Sequence, residues 1–221
     1  MTRFWRRNSL TLVFFALFLV ALSSQLFVGL ADHNRTLTAD GLVPAGIWDY
    51  LTSSQFAVDV AENWQSEFLQ FALFITATVW LVQAGSPESD PPGEQGPGTD
   101  AEERVGPHAP PDAPPAARAG GWRAAVYGRS LGILMAAIFV ASWAVQAVTG
   151  WTAHNADRLR SLQDPLDFGA YLMAPDFWNR TLQNWQSEFL AVTSMVIFSV
   201  YLRQRGSAQS KRVGDPHSVV G

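Results

Sequence analysis

Hydrophobic and polar positions are sharply segregated along this chain. Four stretches are almost free of charge: Asn8 to Ala31, Phe68 to Pro87, Ser130 to Ala156, and Thr181 to Leu202, where Glu188 is the single ionised side chain. Crossing roughly 30 Å of hydrocarbon takes about 20 apolar residues in a helix, and each stretch supplies most or all of that length. The pattern predicts helices over about 9–30, 64–84, 130–151 and 185–204. The expected fold class is therefore an all-α membrane protein with four transmembrane helices.

Shifting the sequence by 121 residues aligns its two halves without a gap. Asn63-Trp64-Gln65-Ser66-Glu67-Phe68-Leu69 then falls on Asn184-Trp185-Gln186-Ser187-Glu188-Phe189-Leu190. The same shift pairs Gln25 with Gln146, Gly29 with Gly150, His33-Asn34 with His154-Asn155, Tyr50-Leu51 with Tyr171-Leu172, Phe56 with Phe177, and Gly85-Ser86 with Gly206-Ser207. Each unit reads as helix, outer loop, helix. A unit with an even number of spans enters the membrane in one sense, so the copies form two parallel-repeat hairpins. The first apolar run, preceded by Arg3, Arg6 and Arg7, has the look of a signal peptide. Its copy at 130–151 lies in the chain interior, so we expect a retained helix.

Charge sets the orientation. Arginines and lysines near span ends stay on the cytoplasmic side, and eleven of the fifteen lie on one side of a four-span arrangement against Arg35, Arg158, Arg160 and Arg180 on the other. Both termini and the central linker are expected in the cytoplasm, and the loops near 31–62 and 152–183 outside. The formal net charge of −4 does not advertise a nucleic-acid partner. Cysteine is absent, which excludes disulfides, thiolate metal sites and a cysteine nucleophile.

The resulting organisation is a first two-helix membrane repeat over 1–86, a linker over 87–121, a second repeat over 122–207, and a tail over 208–221. Nine of the thirteen prolines lie between Gly85 and Gly121, with hardly a large apolar side chain among them. Such a segment cannot bury enough surface to offset its ordering entropy and is expected to be a disordered tether. The outer loops carry Trp48, Tyr50, Phe168 and Tyr171, which suit a membrane surface. Ser53-Ser54 and Pro175-Asp176 are helix-start signals, so the second and fourth helices should begin well outside the bilayer. Asn34-Arg35-Thr36 and Asn179-Arg180-Thr181 match the glycosylation pattern, which we read as coincidence.

The candidate polar site comes from the repeated motif. On a helix, Asn63 and Glu67 share a face, as do Asn184 and Glu188. A carboxylate just inside an apolar segment is costly and normally has a partner in the bundle or in water. Gln25 and Gln146 are expected at a comparable depth, with His33 and His154 just above, so Gln25 to Glu67 and Gln146 to Glu188 are the expected hydrogen bonds. Such pairs hold membrane helices together at about 0.6 to 2 kcal/mol each. The functional alternative is that Glu67 and Glu188 bind a proton, a cation or a small polar ligand at the outer interface. No short histidine and carboxylate spacing supports a metal site. There is no GxSxG, P-loop, dinucleotide fingerprint or HExxH, so neither catalytic residues nor a cofactor are expected.

At the repeated Asn-Trp-Gln-Ser-Glu-Phe-Leu motif, together with Arg203-Gln204-Arg205-Gly206-Ser207 after the last span, the chain resembles a family of small bacterial integral membrane proteins known only as a domain of unknown function. The resemblance covers both units and not the linker, and it implies a membrane location without an activity.

The sequence thus points to a non-enzymatic structural or accessory component of the cytoplasmic membrane. Its expected partners are the lipid bilayer and, if any, further copies of itself or a larger membrane complex. The alternative is a small ion or proton channel, transporter subunit or sensor working through Glu67 and Glu188.

Overall fold

The computed structural model describes residues 3–220. The Arg3 side chain, counted above in the basic flank, and the extreme ends of the first repeat and the tail lie outside the described residues. In order, the helices are α1 (Arg3–Arg7), α2 (Ser9–Ala39), α3 (Ile47–Leu51), α4 (Ser54–Ala77), a 3-10 helix (Gly106–His108), α5 (Pro115–Ala119), α6 (Gly121–Tyr127), α7 (Ser130–Arg160), α8 (Phe168–Leu172) and α9 (Pro175–Tyr201). No strand occurs among the described residues, and the fold is all-helical. Two helices, α2 and α7, are long and apolar enough to cross a membrane.

Helix limits depart from the expected ones in an informative way. α2 and α7 run nine residues beyond 30 and 151, through His33-Asn34 and His154-Asn155, because no glycine or proline interrupts them there. α4 begins at Ser54 and α9 at Pro175, as the start signals indicate, but they end at Ala77 and Tyr201 rather than at 84 and 204. The segment 87–121, expected to be disordered on composition, carries only turns, the 3-10 helix, α5 and the first residue of α6.

Two compact units divide the chain, and each is best taken alone. The first comprises residues 1–60 and 147–166. Here α2 closes on Gly41, which has φ +74, with Gly41 N–H bonded to Thr38 O at 3.1 Å and Leu42 N–H to Leu37 O at 2.8 Å. This is a Schellman closure, in which a left-handed residue lets the last carbonyls find donors. α7 ends the same way, with Leu162 N–H on Leu159 O at 3.1 Å and Gln163 N–H on Arg158 O at 2.8 Å, but its left-handed residue is Leu162, φ +56.

The loops that follow are each locked by one amide. Asn34 accepts from Ala45 N–H at 2.7 Å and donates to Ala45 O at 3.0 Å. Asn155 accepts from Leu166 N–H at 2.8 Å and donates to Leu166 O at 2.9 Å, where Trp151 Nε1 also donates at 2.8 Å. The chain behind Asn34 reaches α3, whose Tyr50 is buried against His33 and Phe56, with ring centroids 5.3 and 5.5 Å away. Ser53 caps α4: its Oγ accepts from Phe56 N–H at 3.1 Å.

The second unit comprises residues 61–146 and 167–221. Asp167 caps α8 by accepting from Ala170 N–H at 2.9 Å. Tyr171 on α8 is buried edge-on to Phe177 of α9. Trp143 of α7 lies within 6.2 Å of Phe139, Phe177, Trp178 and Trp185, measured between ring centroids, which welds α7 to α9 by aromatic packing.

Candidate functional site

The polar groups of the second unit gather where α4, α7 and α9 meet. α4 buries Ala61, Gln65 and Leu69, positions spaced by four on one helical face, together with Ser66. Gln65 Oε1 accepts from Trp185 Nε1 at 2.7 Å, while its Nε2 donates to Glu62 O at 3.1 Å. Ser66 Oγ lies 3.4 Å from Glu188 Oε1 and 2.9 Å from Asn63 O. Nearer the start of α9, Arg180 bridges two carboxylates, Glu62 at 3.1 Å and Asp176 at 3.5 Å. With Asn179, Gln183 and Asn184 these residues line a recess of about 260 Å³.

Gln146 on α7 is fully buried. It does not reach Glu188, as the sequence suggested; its Nε2 donates instead to Thr181 Oγ1 at 3.2 Å. Thr181 is also buried, donates to Phe177 O at 2.9 Å, and has Trp143 Nε1 at 3.4 Å. The reason is local, because the hydroxyl at position 181 lies about two turns nearer the start of α9 than residue 188, at the level of Gln146. Gln146 Oε1 is buried with no hydrogen-bond partner among the described residues.

Two tyrosine hydroxyls outside the long apolar stretches are perturbed. Burial, then the Asp176 and Glu62 carboxylates, push Tyr171 up to about 12, with Arg180 acting against them. Burial, followed by Asp59 and Asp32, also raises Tyr50.

Residues 1–221 match a family whose description is Domain of unknown function (DUF6766). The chain belongs to that family. This agrees with the resemblance at the repeated motif as far as an uncharacterised family goes. No curated protein and no solved structure matches.

In this DUF6766 chain the predicted site residues are dispersed. Gln25 and His33 are half-buried on α2 in the first unit, where His33 faces Tyr50, and His154 is half-buried on α7 in the same unit. Asn63 and Glu67 are exposed on α4, whereas Asn184 and Glu188 are half-buried on α9. Asn184 donates to Arg180 O at 3.0 Å. The two copies of the motif therefore turn different faces inward: Gln65 and Ser66 are buried in one, whereas in the other their counterparts Gln186 and Ser187 are exposed and Asn184, Trp185 and Glu188 are half-buried. One residue of offset turns a helix by about 100°, enough to exchange an inward for an outward face.

Gln65, Ser66, Glu62, Thr181 and Arg180 are not among the site residues expected from the sequence. A signal existed for Gln65, since it continues the stripe Ala61, Gln65, Leu69, whereas attention to the acids favours the face of Asn63 and Glu67. No comparable signal marks Thr181 or Arg180, whose partners are remote in sequence.

The chain leaving α4 and α9 makes one turn twice. Ser89 Oγ accepts from Gln83 N–H and Ser210 Oγ from Gln204 N–H, both at 2.9 Å; Ser86 Oγ accepts from Glu88 N–H and Ser207 Oγ from Gln209 N–H, both at 3.1 Å. Gly85 and Gly206 share φ +83. A side chain at Gly85 would also run into His217 O, so glycine is required there twice over. Only the Gly-Ser pairs stood out in the sequence, although Gln83, Gln204, Ser89 and Ser210 obey the same spacing.

Proposed function

We propose that this chain is a multi-pass protein of the bacterial cytoplasmic membrane, its four long helices crossing as two parallel hairpins with both termini and the linker inside, and that it serves as a non-enzymatic structural or accessory component. The observation that carries this reading is the surface of α2 and α7. Leu10, Phe14, Leu17 and Val28 on α2, and Leu131, Leu134 and Val140 on α7, are all exposed. Soluble monomers rarely leave contiguous apolar patches of more than a few hundred Å² in water, whereas lipid accepts them without cost. At 31 residues each, α2 and α7 are about 46 Å long, enough for the hydrocarbon and both headgroup layers.

α4 and α9 support the four-span reading in their second halves, where Phe71, Leu73, Phe189, Leu190, Ile197 and Phe198 are exposed. Their polar first halves turn hydrogen-bonding groups toward each other, through Gln65 to Trp185 and Ser66 to Glu188. A polar side chain in lipid gains from such a partner, which is a structural use of the motif and needs no substrate.

The absence of cysteine makes the topology test clean. Single cysteines at Gly98, in the linker, and at Leu162, in the second loop, are probed with a membrane-impermeant maleimide on intact cells. Labelling at 162 and protection at 98 until lysis is expected, and the protein should resist carbonate extraction. Release by carbonate would remove the membrane assignment, and labelling at 98 in intact cells would invert the orientation.

A further inference from the structure

The two exit turns have the same backbone but opposite chemistry. Where the first has Ala84, Asp90 and Pro91, the second has Arg205, Lys211 and Arg212. Two cations at this second turn, Arg203 and Lys211, are committed to main-chain carbonyls. Arg203 donates to the carbonyls of Ser199, Val200, Leu202, Arg212 and Asp215. Lys211 is buried, with its ammonium on the carbonyls of Gly85, Pro216, His217 and Val219. These bonds fix the loop in place. Arg205 and Arg212 are left exposed, and neither guanidinium makes a hydrogen bond or ion pair among the described residues. The Asp215 carboxylate accepts from the Arg212 backbone N–H at 3.2 Å and makes no ion pair with its guanidinium.

Arg205, Ser207 and Arg212 line a recess of about 540 Å³. The residues that line it follow closely in sequence on the last apolar turn of α9, where Phe198, Tyr201 and Leu202 are exposed, and Val213 on its wall is exposed as well. Two exposed guanidiniums without an ion pair, both in the recess lining, suit a phosphate oxygen pair, since the planar fork donates in parallel to two oxygens. The exposed apolar side chains three to seven residues before Arg205 favour a lipid over a free anion, because acyl chains gain from apolar surface near the headgroup and inorganic phosphate does not.

We propose that this recess binds the phosphodiester headgroup of an anionic phospholipid, with the acyl chains lying along Phe198 and Leu202. The assignment rests on the membrane reading above. Basic clusters immediately inside a membrane helix attract anionic lipid in general; here the geometry assigns a discrete site to two named arginines.

The test uses the full chain in detergent, titrated with phosphatidylglycerol, phosphatidylcholine or inorganic phosphate while thermal unfolding and native mass spectra are recorded. Phosphatidylglycerol is expected to raise the melting temperature saturably and to give a one-to-one adduct, with little response to the other two. Arg205→Ala with Arg212→Ala should weaken that binding about tenfold or more, whereas Arg118→Ala with Arg123→Ala should leave it unchanged. Position 84 shows that the turn folds with alanine; Arg205→Gln with Arg212→Gln, which keeps side-chain length, provides a second variant. Equal responses to the two lipids, an equal response to inorganic phosphate, or undiminished binding by both double variants would overturn the site. Carbonate extraction tests the membrane reading separately, so the two can fail independently.

Discussion

Asn34 grips the backbone of Ala45 from both sides, accepting its N–H at 2.7 Å and donating to its carbonyl at 3.0 Å. Asn155, 121 positions later, does the same to Leu166. Replacing Asn34 with alanine removes both bonds from a half-buried loop and should cost about 1–3 kcal/mol. Asn34→Asp keeps the acceptor and loses the donor, so it should fall between. Thermal unfolding of the two variants in detergent checks the order, which a merely exposed asparagine would not produce. The Asn34 amide is also committed to Ala45, which fits reading its glycosylation pattern as coincidence.

Gly41 and Leu162 hold the same left-handed closure, one with and one without a Cβ. A left-handed conformation costs an ordinary L residue about 1–2 kcal/mol. Leu162 is 96% exposed and loses nothing by truncation. Leu162→Gly should therefore raise stability by about 1 kcal/mol, and Gly41→Leu should lower it by a similar amount. Equal melting temperatures for Leu162→Gly and the parent would argue against strain there.

Gly29 lies under Tyr50, and a methyl on it would run into the Tyr50 hydroxyl. In an open helix Gly→Ala gains about 1 kcal/mol of propensity. Here Gly29→Ala should instead destabilise, and Tyr50→Phe should relieve part of the penalty. A double-mutant cycle with a coupling of about 0.5 kcal/mol or more is the expected result. Additive effects would mean that the two do not touch.

Tyr171 gives the protein an alkaline limit. Its hydroxyl is pushed from 10.0 to about 12, so the folded state holds this proton more tightly than the unfolded state does. The stabilisation is complete below pH 10 and is lost as the pH rises from 10 through 12. Absorbance at 295 nm should show late phenolates, and Tyr171→Phe should remove one tyrosine equivalent from that phase and flatten the stability profile in the same window.

Gln146 and Thr181 should respond oppositely. Gln146 Oε1 is already unpartnered, and Thr181 keeps its bond to Phe177 O without it, so Gln146→Leu should change stability by less than about 1 kcal/mol or raise it. Thr181→Val leaves the Gln146 amide and the Trp143 N–H without their acceptor and should cost about 1–3 kcal/mol. Chemical unfolding of both variants reads the contrast.

The all-helical class, the two long apolar helices, the starts of α4 and α9, and the pairs of positions that share a local structure are legible in the residues alone. These features depend on neighbours within a turn or two: uninterrupted apolar runs, a serine cap at Ser53, a proline at the first turn of α9. Local chemistry repeats when local sequence repeats, as the amides of Asn34 and Asn155 show. Which side of Asn-Trp-Gln-Ser-Glu-Phe-Leu turns inward is not legible there and depends on long-range packing. The motif is polar on more than one face, so helical period groups its residues without choosing among the groups. Packing made the choice, and it differed between copies because Glu62 meets Arg180 and Gln146 meets Thr181, residues whose counterparts 121 positions away are Gln183 with Asp59 and Gln25 with Val60. Identical heptapeptides thus bury different side chains, since the partner across the interface, rather than the motif, sets the free energy of burying each polar group.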